Sequence, residues 1–590
     1  MYIVIGAPDT ADQSAATVMW EAITYTPDGS GTRRIFSSEQ LPDFIRLVTS
    51  SNRSQTVRWA WADTTEIYPL LLTAGVSVAR CHDLLLVQRI LETAATRPQN
   101  QVDFSPTHNL EPRPQAPSGH LPPVAQMLGQ DSLFDTAPDK SPDARPSATL
   151  LAAELHAQLT AIEAAPHAGR LKLLAAAESQ GALIAAEIKF FGMPWNRQIH
   201  EQLLTHTLGN RPGAYERPYE MEKCAALIAQ RLAAPQVNPD SPASLLKAMH
   251  NAGIRVESTR KWQLVAWVDV ATGQEERYRR QELIEPILRY KKLHRLFTAN
   301  GWAWLDAWVH DNRFYPSYEV GGVVTGRWGA HGGGAMQIPK DVRQAVQAEA
   351  GMTLLVADAA QVEPRILAAM SGDQALAVAA RGRDLYAGIA EIGERTGSPL
   401  DSRDAAKIVM LGAMYGATSG DSGRLLPHFR KLFPRAMEFT EAAASVGEHG
   451  GQVTTFLGRT SPAPSSTWFA TQRDTSTAES ERQAQSLAKS QGRFTRNFVV
   501  QGTAAEWALC WMGQMRKRLR EEKLFGHALS TRLVYFLHDE VMLYGPQREA
   551  KVCERIVRES AEDAAKLLFG QIPVDFPVTV VATDNYAKAK

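Results

Sequence analysis

The chain has 590 residues, 44% of them hydrophobic, and its 63 basic and 63 acidic side chains give a formal net charge of zero. That length predicts about three to five domains, and the apolar content is ordinary for a globular protein with sizeable cores. Four scattered cysteines (Cys81, Cys224, Cys510, Cys553) make no CxxC or Cys/His cluster, which argues against a disulfide framework or zinc site and fits a reducing, cytoplasmic setting; no apolar run is long enough to span a bilayer.

Residues 1–97 read as α/β. The apolar stretches Tyr2–Ile5 and Thr17–Ile23 predict strands, and Glu66–Leu72 and Asp83–Thr93 predict helices. The segment Met1–Gly6 has neither a basic n-region nor a long apolar core, so no signal peptide is expected. From Pro98 to Pro146 proline recurs with Ser, Asp and Gln and little apolar periodicity, which predicts a disordered linker. Helical patterning resumes over Ala148–Ala165 and stops at Pro166. Charge divides along the chain: residues 1–184 carry 13 Lys and Arg against 19 Asp and Glu, and the remainder 50 against 44. Nucleic-acid binding needs only a local basic stripe, which the mildly basic remainder can supply.

Residues 172–232 read as helices entering a second domain. Asn238-Pro239-Asp240-Ser241-Pro242 predicts a cap for a helix starting near Ala243, and the basic amphipathic stretch Arg289–Arg295 follows. The apolar strand Leu354–Ala357 delivers Asp358 at its tip, and Glu363 follows where a helix should begin. Arg403, Lys407, Leu411 and Tyr415 recur every four residues, forming one slowly rotating helix face. Cations at the N-terminal end of such a helix can grip a triphosphate, aided by the helix dipole. Arg493, Asn497 and Gln501 repeat the four-residue spacing ahead of Gly502-Thr503-Ala504-Ala505. Asp539 lies between the apolar runs Leu533–Leu537 and Val541–Tyr544, which predicts a β-hairpin with the acid at its turn. Two carboxylates on neighbouring strand tips suit metal-dependent phosphoryl transfer, since hard oxygen ligands favour Mg2+. No internal repeats are visible.

Together, the segments Asp358–Arg365, Arg403–Gly416 and His538-Asp539-Glu540 resemble motifs A, B and C of family A DNA polymerases, the bacterial DNA polymerase I group. The resemblance runs from about residue 172 to 590. It implies an α/β and α+β multidomain chain: a degenerate RNase H-like 3′–5′ exonuclease domain (1–97 with 148–171), a linker (98–147), and a right-hand polymerase (172–590) with its thumb at about 190–310 and palm and fingers at about 311–590. It implies Asp358 and Asp539 as ligands of two Mg2+ ions, with Mn2+ as the alternative, and Lys407 as the group protonating departing pyrophosphate. Nucleotide would be held by Gln361, Glu363, Tyr386, Arg403, Lys407, Leu411 and Tyr415, with Glu363 the steric gate against a ribose 2′-hydroxyl. Arg365 also fits the first motif. Primer–template DNA would be held by Arg327, in Thr325-Gly326-Arg327 ahead of Met336-Gln337-Ile338-Pro339, and by Arg493, Asn497, Gln501, His538 and Glu540. Minor-groove acceptors common to all base pairs make such contacts independent of sequence.

The chain departs from the family pattern at several points. Leu411 stands where an aromatic is usual, Tyr386 where a phosphate-binding histidine is usual, and Pro364 where leucine is usual, in a helical first turn that tolerates proline. The first two sit on the nucleotide and bear on sugar discrimination and affinity. The metal-binding Asp-x-Glu of an exonuclease is not found: Asp9-Thr10-Ala11 lacks the glutamate and Trp20-Glu21-Ala22 the aspartate, leaving Asp63 and Asp83 as remnants. Proofreading is therefore not expected, and since the first strand starts at Met1, neither is a preceding 5′-nuclease domain. Within the linker, Gln130-Asp131-Ser132-Leu133-Phe134 resembles the peptide by which bacterial polymerases hook the sliding clamp, with Gln130, Leu133 and Phe134 as anchors. The function implied is template-directed addition of dNTPs to a primer by a monomer in the cytoplasm, at the nucleoid, in repair or gap filling. The alternatives are a single-subunit RNA polymerase, against which Glu363 argues, a non-catalytic DNA- or clamp-binding scaffold, and a nuclease.

Overall fold

The computed structural model describes residues 1–9, 18–26, 31–50, 57–97, 102–112, 145–330, 338–382, 384–417, 419–474 and 476–589. The clamp-peptide residues Gln130, Leu133 and Phe134 lie outside the described residues, as do Met336 and Gln337. The chain divides into two compact units.

The first unit comprises Met1–Phe191, Ser317–His331 and Ala350–Ala582. It begins with a five-stranded sheet of β1 (Tyr2–Gly6), β2 (Met19–Tyr25), β3 (Arg33–Ser37), β4 (Arg58–Trp61) and β5 (Cys81–Asp83), in the order β3-β2-β1-β4-β5. The β1–β2 and β2–β3 pairs are antiparallel, and β1–β4 and β4–β5 are parallel. Strand alternation sorts its side chains. Ile3, Ile5, Trp59 and Trp61 enter one core with residues of α1 (Leu41–Ser50) and α2 (Thr64–Thr73). Val4 and Ala60 enter a second core with residues of α3 (Leu84–Ala95) and α4 (Ala148–Ala164). Each fully buried aromatic or leucine is worth about 2 kcal/mol in such a core.

Two expectations about this region change. The predicted linker does not begin at residue 98: Val102, Phe104 and Leu110 are buried. Glu154 of α4 accepts hydrogen bonds from the Thr107 main-chain N–H and hydroxyl, both at 2.8 Å. Three apolar anchors and one buried carboxylate outweigh a proline-rich composition. The expected boundary between residues 171 and 172 falls inside a continuous 24-residue helix, α5 (Ala168–Phe191). Its Leu183 and Ala186 complete the first core.

The second unit comprises Gly192–Pro316, Gly332–Glu349 and Thr583–Lys590. It contains α6 (Arg197–Leu208), α7 (Tyr219–Arg231), α8 (Pro242–Asn251), α9 (Lys261–Asp269), α10 (Gln274–Asn300) and α11 (Trp302–Trp308). Ser241 caps α8, with Pro242 in the first turn. The basic stretch lies on α10, where buried Tyr290 donates to Asp240 at 2.6 Å.

The rest of the first unit centres on a four-stranded sheet in the order β7-β8-β6-β9. Its strands are β6 (Met352–Ala359), β7 (Arg532–Leu537), β8 (Glu540–Pro546) and β9 (Val578–Thr583). Around it lie α12 (Val362–Ser371), α13 (Gln374–Ala380), α14 (Leu385–Thr396), α15 (Arg403–Tyr415), α16 (Gly420–Leu432), α17 (Pro434–Glu448), α18 (Ser466–Arg473), α19 (Ala478–Glu521) and α20 (Ala550–Phe569). The 44-residue α19 starts at a capping box on Thr477 and at 1.5 Å per residue runs about 66 Å. Buried Arg516 near its C-terminal end donates to Glu187 of α5 at 2.7 Å and to the Tyr68 hydroxyl of α2 at 3.1 Å. It thereby ties α19 to the first sheet's helices. Among the described residues, no helix is long and apolar enough to cross a membrane.

Candidate active site

Leu354, Leu355, Val356 and Ala357 on β6 are buried, as are Leu533 to Phe536 on β7 and Val541 to Tyr544 on β8. A sheet covered on both faces is rigid, and it carries Asp358 and Asp539 on one edge. β6 and β8 are antiparallel, with Asp358 opposite Glu540. His538 and Asp539 form the two-residue turn from β7 to β8, since Leu537 pairs with Glu540. The Ala359 N–H donates to the Asp539 carbonyl at 2.9 Å, so the two aspartates are neighbours across the sheet edge. Asp358 is half-buried and Asp539 exposed, whereas Glu540, expected at the DNA, is only 3% exposed. Its carboxylate stands within the packed sheet edge.

Among the described residues no group of three or more His, Cys, Asp or Glu is arranged to hold a metal ion. Two carboxylates on a rigid edge nevertheless fit Mg2+, which keeps several waters and takes its remaining ligands from substrate phosphates.

After Asp358 the chain turns through Gln361 in the left-handed region, at φ +55° and ψ +46°. His538, beside Asp539, has φ +56°. Non-glycine residues held there cost on the order of 1–3 kcal/mol each, and such strain concentrates at functional sites. The Gln361 side chain explains how the turn is held. Its oxygen accepts from the Leu385 N–H at 2.9 Å and its amide donates to Asp384 at 2.7 Å. The guanidinium of fully buried Arg365 donates to the carbonyls of Ala360 (3.0 Å), Ala380 (2.5 Å) and Asp575 (2.9 Å).

Glu363, in the first turn of α12, accepts from the guanidinium of Arg327 and from the Tyr415 hydroxyl at 2.5 Å. Arg327, expected on the primer, is thus paired with the expected steric gate. Burial, with the Arg327 charge adding to it, lowers the His538 pKa.

The helix α15 buries Ala406, Val409, Met410, Ala413 and Met414, and presents Arg403, Lys407, Leu411 and Tyr415 on its exposed side. Arg403 donates to Asp384 at 3.0 Å and lies 5.6 Å from the ring centre of Tyr386. Burial alone would raise the Asp384 pKa, but the Ala387 N–H, Arg403 and Gln361 together hold it below the usual carboxylate range. Asp384 was not singled out in the sequence. Its one local signal is its position as the N-cap of α14, immediately before an apolar run. Gly416 ends α15 at φ +74°, and a Cβ there would lie 2.9 Å from the Arg493 Cγ. Glycine therefore lets α15 end directly against α19, where Arg493 is exposed and Asn497 and Gln501 are half-buried. The three motifs meet in one cavity of about 190 Å3, lined by Arg327, Gln361, Glu363, Tyr386, Leu411, Tyr415, His538 and Asp539 with residues of α19.

The sequence profile of DNA polymerase family A matches residues 216–588. The chain belongs to DNA polymerase family A. This family A chain is 26% identical over 309 residues to the thermostable DNA polymerase I of Thermus caldophilus, covering 48% of its own length and 34% of the relative's. It is 28% identical over 318 residues to DNA polymerase I of Chloroflexus aurantiacus, covering 50% and 31%. The match therefore spans about a third of the length of these curated relatives. Its fold resembles that of the POL domain of Pol1 from M. smegmatis, solved in complex with DNA primer-template and dNTP, with a TM-score of 0.66 at 16% identity over 100% of this chain and 95% of that one.

The carboxylates singled out in the N-terminal region have other occupations. Asp63 and Asp83 cap α2 and α3, accepting from the N–H groups of Thr65 and Leu86. Arg33 lies between Asp9 and Glu21, 3.3 Å from each.

Proposed function

We propose that this family A chain copies a DNA template by adding dNTPs to a primer 3′-hydroxyl with release of pyrophosphate. The observation that carries the reading is the single cavity lined by residues of all three motifs. Asp358 and Asp539 would hold two Mg2+ ions, which lower the pKa of the attacking hydroxyl and neutralise the triphosphate. Arg403 and Lys407, exposed at the N-terminal half of α15, bind the triphosphate. Lys407 gives a proton to the pyrophosphate oxygen as it leaves. Glu363, pinned from both sides, closes the space a ribose 2′-hydroxyl would need. Tyr415 stacks at the base pair, Leu411 gives the sugar an apolar surface, and Gln361 and Tyr386 complete the nucleotide wall. Arg493, Asn497 and Gln501 on α19, together with Arg327 and His538, follow the duplex, and Glu540 supports the carboxylate edge from within the sheet.

The N-terminal domain is proposed to lack exonuclease activity, because Asp63 and Asp83 serve as helix caps and Arg33 fills the space between Asp9 and Glu21. A repair or gap-filling role, a monomeric state, a nucleoid location and a clamp hook at Gln130, Leu133 and Phe134 extend this reading. Primer extension with a 5′-labelled primer tests it. Lengthening with dNTPs, little with rNTPs, and no shortening without nucleotide are expected. Shortening would overturn the proposed lack of exonuclease activity, and equal use of rNTPs would move the RNA polymerase reading first.

A further inference from the structure

A second and larger cavity, of about 630 Å3, lies between the start of β4, the segment ahead of β5, α5 and the C-terminal part of α19. Its volume falls within the 300–1,000 Å3 typical of small-molecule sites. It adjoins the motif cavity, since Leu509 lines both, but its cation Lys517 lies eight residues farther along α19, about 12 Å away.

The lining is one-sided in charge. Arg58, Arg80, Lys517 and Arg520 face it, against the one carboxylate of Glu521. Arg58 donates to the Cys81 carbonyl at 3.2 Å and Arg520 to the Ser77 hydroxyl at 2.6 Å, and none of the four cations forms an ion pair among the described residues. The contrast with the adjoining surface is sharp. Arg518, one residue from Lys517, pairs with both Glu559 and Asp563. Burial, with the charge of Arg516 adding to it and that of Glu187 opposing, holds the Arg520 guanidinium below its usual range. The lining also includes the apolar side chains of Leu173, Ala177 and Leu509.

We propose that this cavity is a second nucleotide site, which takes a nucleoside di- or triphosphate with its phosphates on Arg80, Lys517 and Arg520 and its base against Leu173 and Leu509. A lining that combines cations with apolar side chains suits a molecule with a polyanionic end and a flat apolar end. Arginine forks and a mobile lysine are the side chains that grip phosphate.

The test is isothermal titration of the full chain in metal-free buffer with ATP, adenosine and inorganic tripolyphosphate. Arg80→Glu/Lys517→Glu is compared with the milder Arg80→Gln/Lys517→Gln and with Lys407→Ala. Arg80 and Lys517 are exposed, so the substitutions spare the core. ATP affinity is expected to fall at least tenfold in the charge-reversed variant, less in the glutamine variant, and to persist in Lys407→Ala. Primer extension by the first two should be unchanged. Unchanged ATP affinity in both, or its loss in Lys407→Ala alone, would overturn the proposal. Tripolyphosphate binding as tightly as ATP would overturn the nucleotide assignment and leave a bare polyanion site.

Discussion

The Tyr415 phenol on α15 donates to the Glu363 carboxylate on α12, joining the second motif to the first. Burial and that carboxylate raise the phenol's pKa, so Tyr415 remains a donor at every working pH. Glu363 is held from its other oxygen by Arg327.

If Glu363 is the proposed gate, its two tethers should make selectivity fall in steps. Glu363→Ala is expected to raise rNTP incorporation relative to dNTP by roughly 10- to 100-fold, the range a removed contact at a sugar commands. Tyr415→Phe, which removes one tether, should give a smaller rise. Single-nucleotide incorporation with paired dNTP and rNTP titrations checks this. A Glu363→Ala enzyme with unaltered discrimination would place the gate elsewhere.

Arg365 predicts a stability effect rather than a direct catalytic one. Its buried guanidinium serves three carbonyls from the turn after Asp358, the end of α13 and the segment before β9. Arg365→Ala strands those acceptors and should cost on the order of 3 kcal/mol. Denaturant unfolding reads that loss. A change below about 0.5 kcal/mol, the scale of an ordinary surface substitution, would show that water replaces the guanidinium without penalty.

Glu506 on α19 predicts a pH dependence. Burial pushes its acid up to about 7, despite hydrogen bonds from Thr455 and Leu457 and the charge of Arg459. The folded state therefore holds a proton that the unfolded chain releases near 4.5. The stabilisation is fully present below that unfolded value and is lost as pH rises through about 7. Glu506→Gln keeps the neutral amide and does not titrate. Measured against it, the wild type should lose roughly 3 kcal/mol of stability between pH 4.5 and 7.5. A pH-independent difference between the two would mean that folding leaves the Glu506 acid unshifted.

Much of the site was legible because it rests on local pattern. The runs around Asp358 and Asp539 are apolar enough to predict buried strands, and the four-residue spacing of Arg403, Lys407, Leu411 and Tyr415 predicts one helix face. What escaped depends on contacts between distant segments. Gln361, Asp384 and Arg403 form one chain of hydrogen bonds across 42 residues of sequence, with no periodicity to announce it. The burial of Glu540 follows from its place opposite Asp358, which only strand register reveals. Residues 102–112 were hidden by their prolines, although Val102, Phe104 and Leu110 supply the anchors. Asp63 and Asp83 were weighed as metal-site remnants because a helix cap and a metal ligand use the same residue type.

Asp358 and Asp539 are proposed to act as one catalytic pair. Single-turnover primer extension in Mg2+ by wild type, Asp358→Asn, Asp539→Asn and the double variant tests it most directly. Each single substitution is expected to lower the rate about a thousandfold, equivalent to about 4 kcal/mol, with the double variant scarcely slower than either. Wild-type extension that survives either single substitution within about tenfold would contradict it.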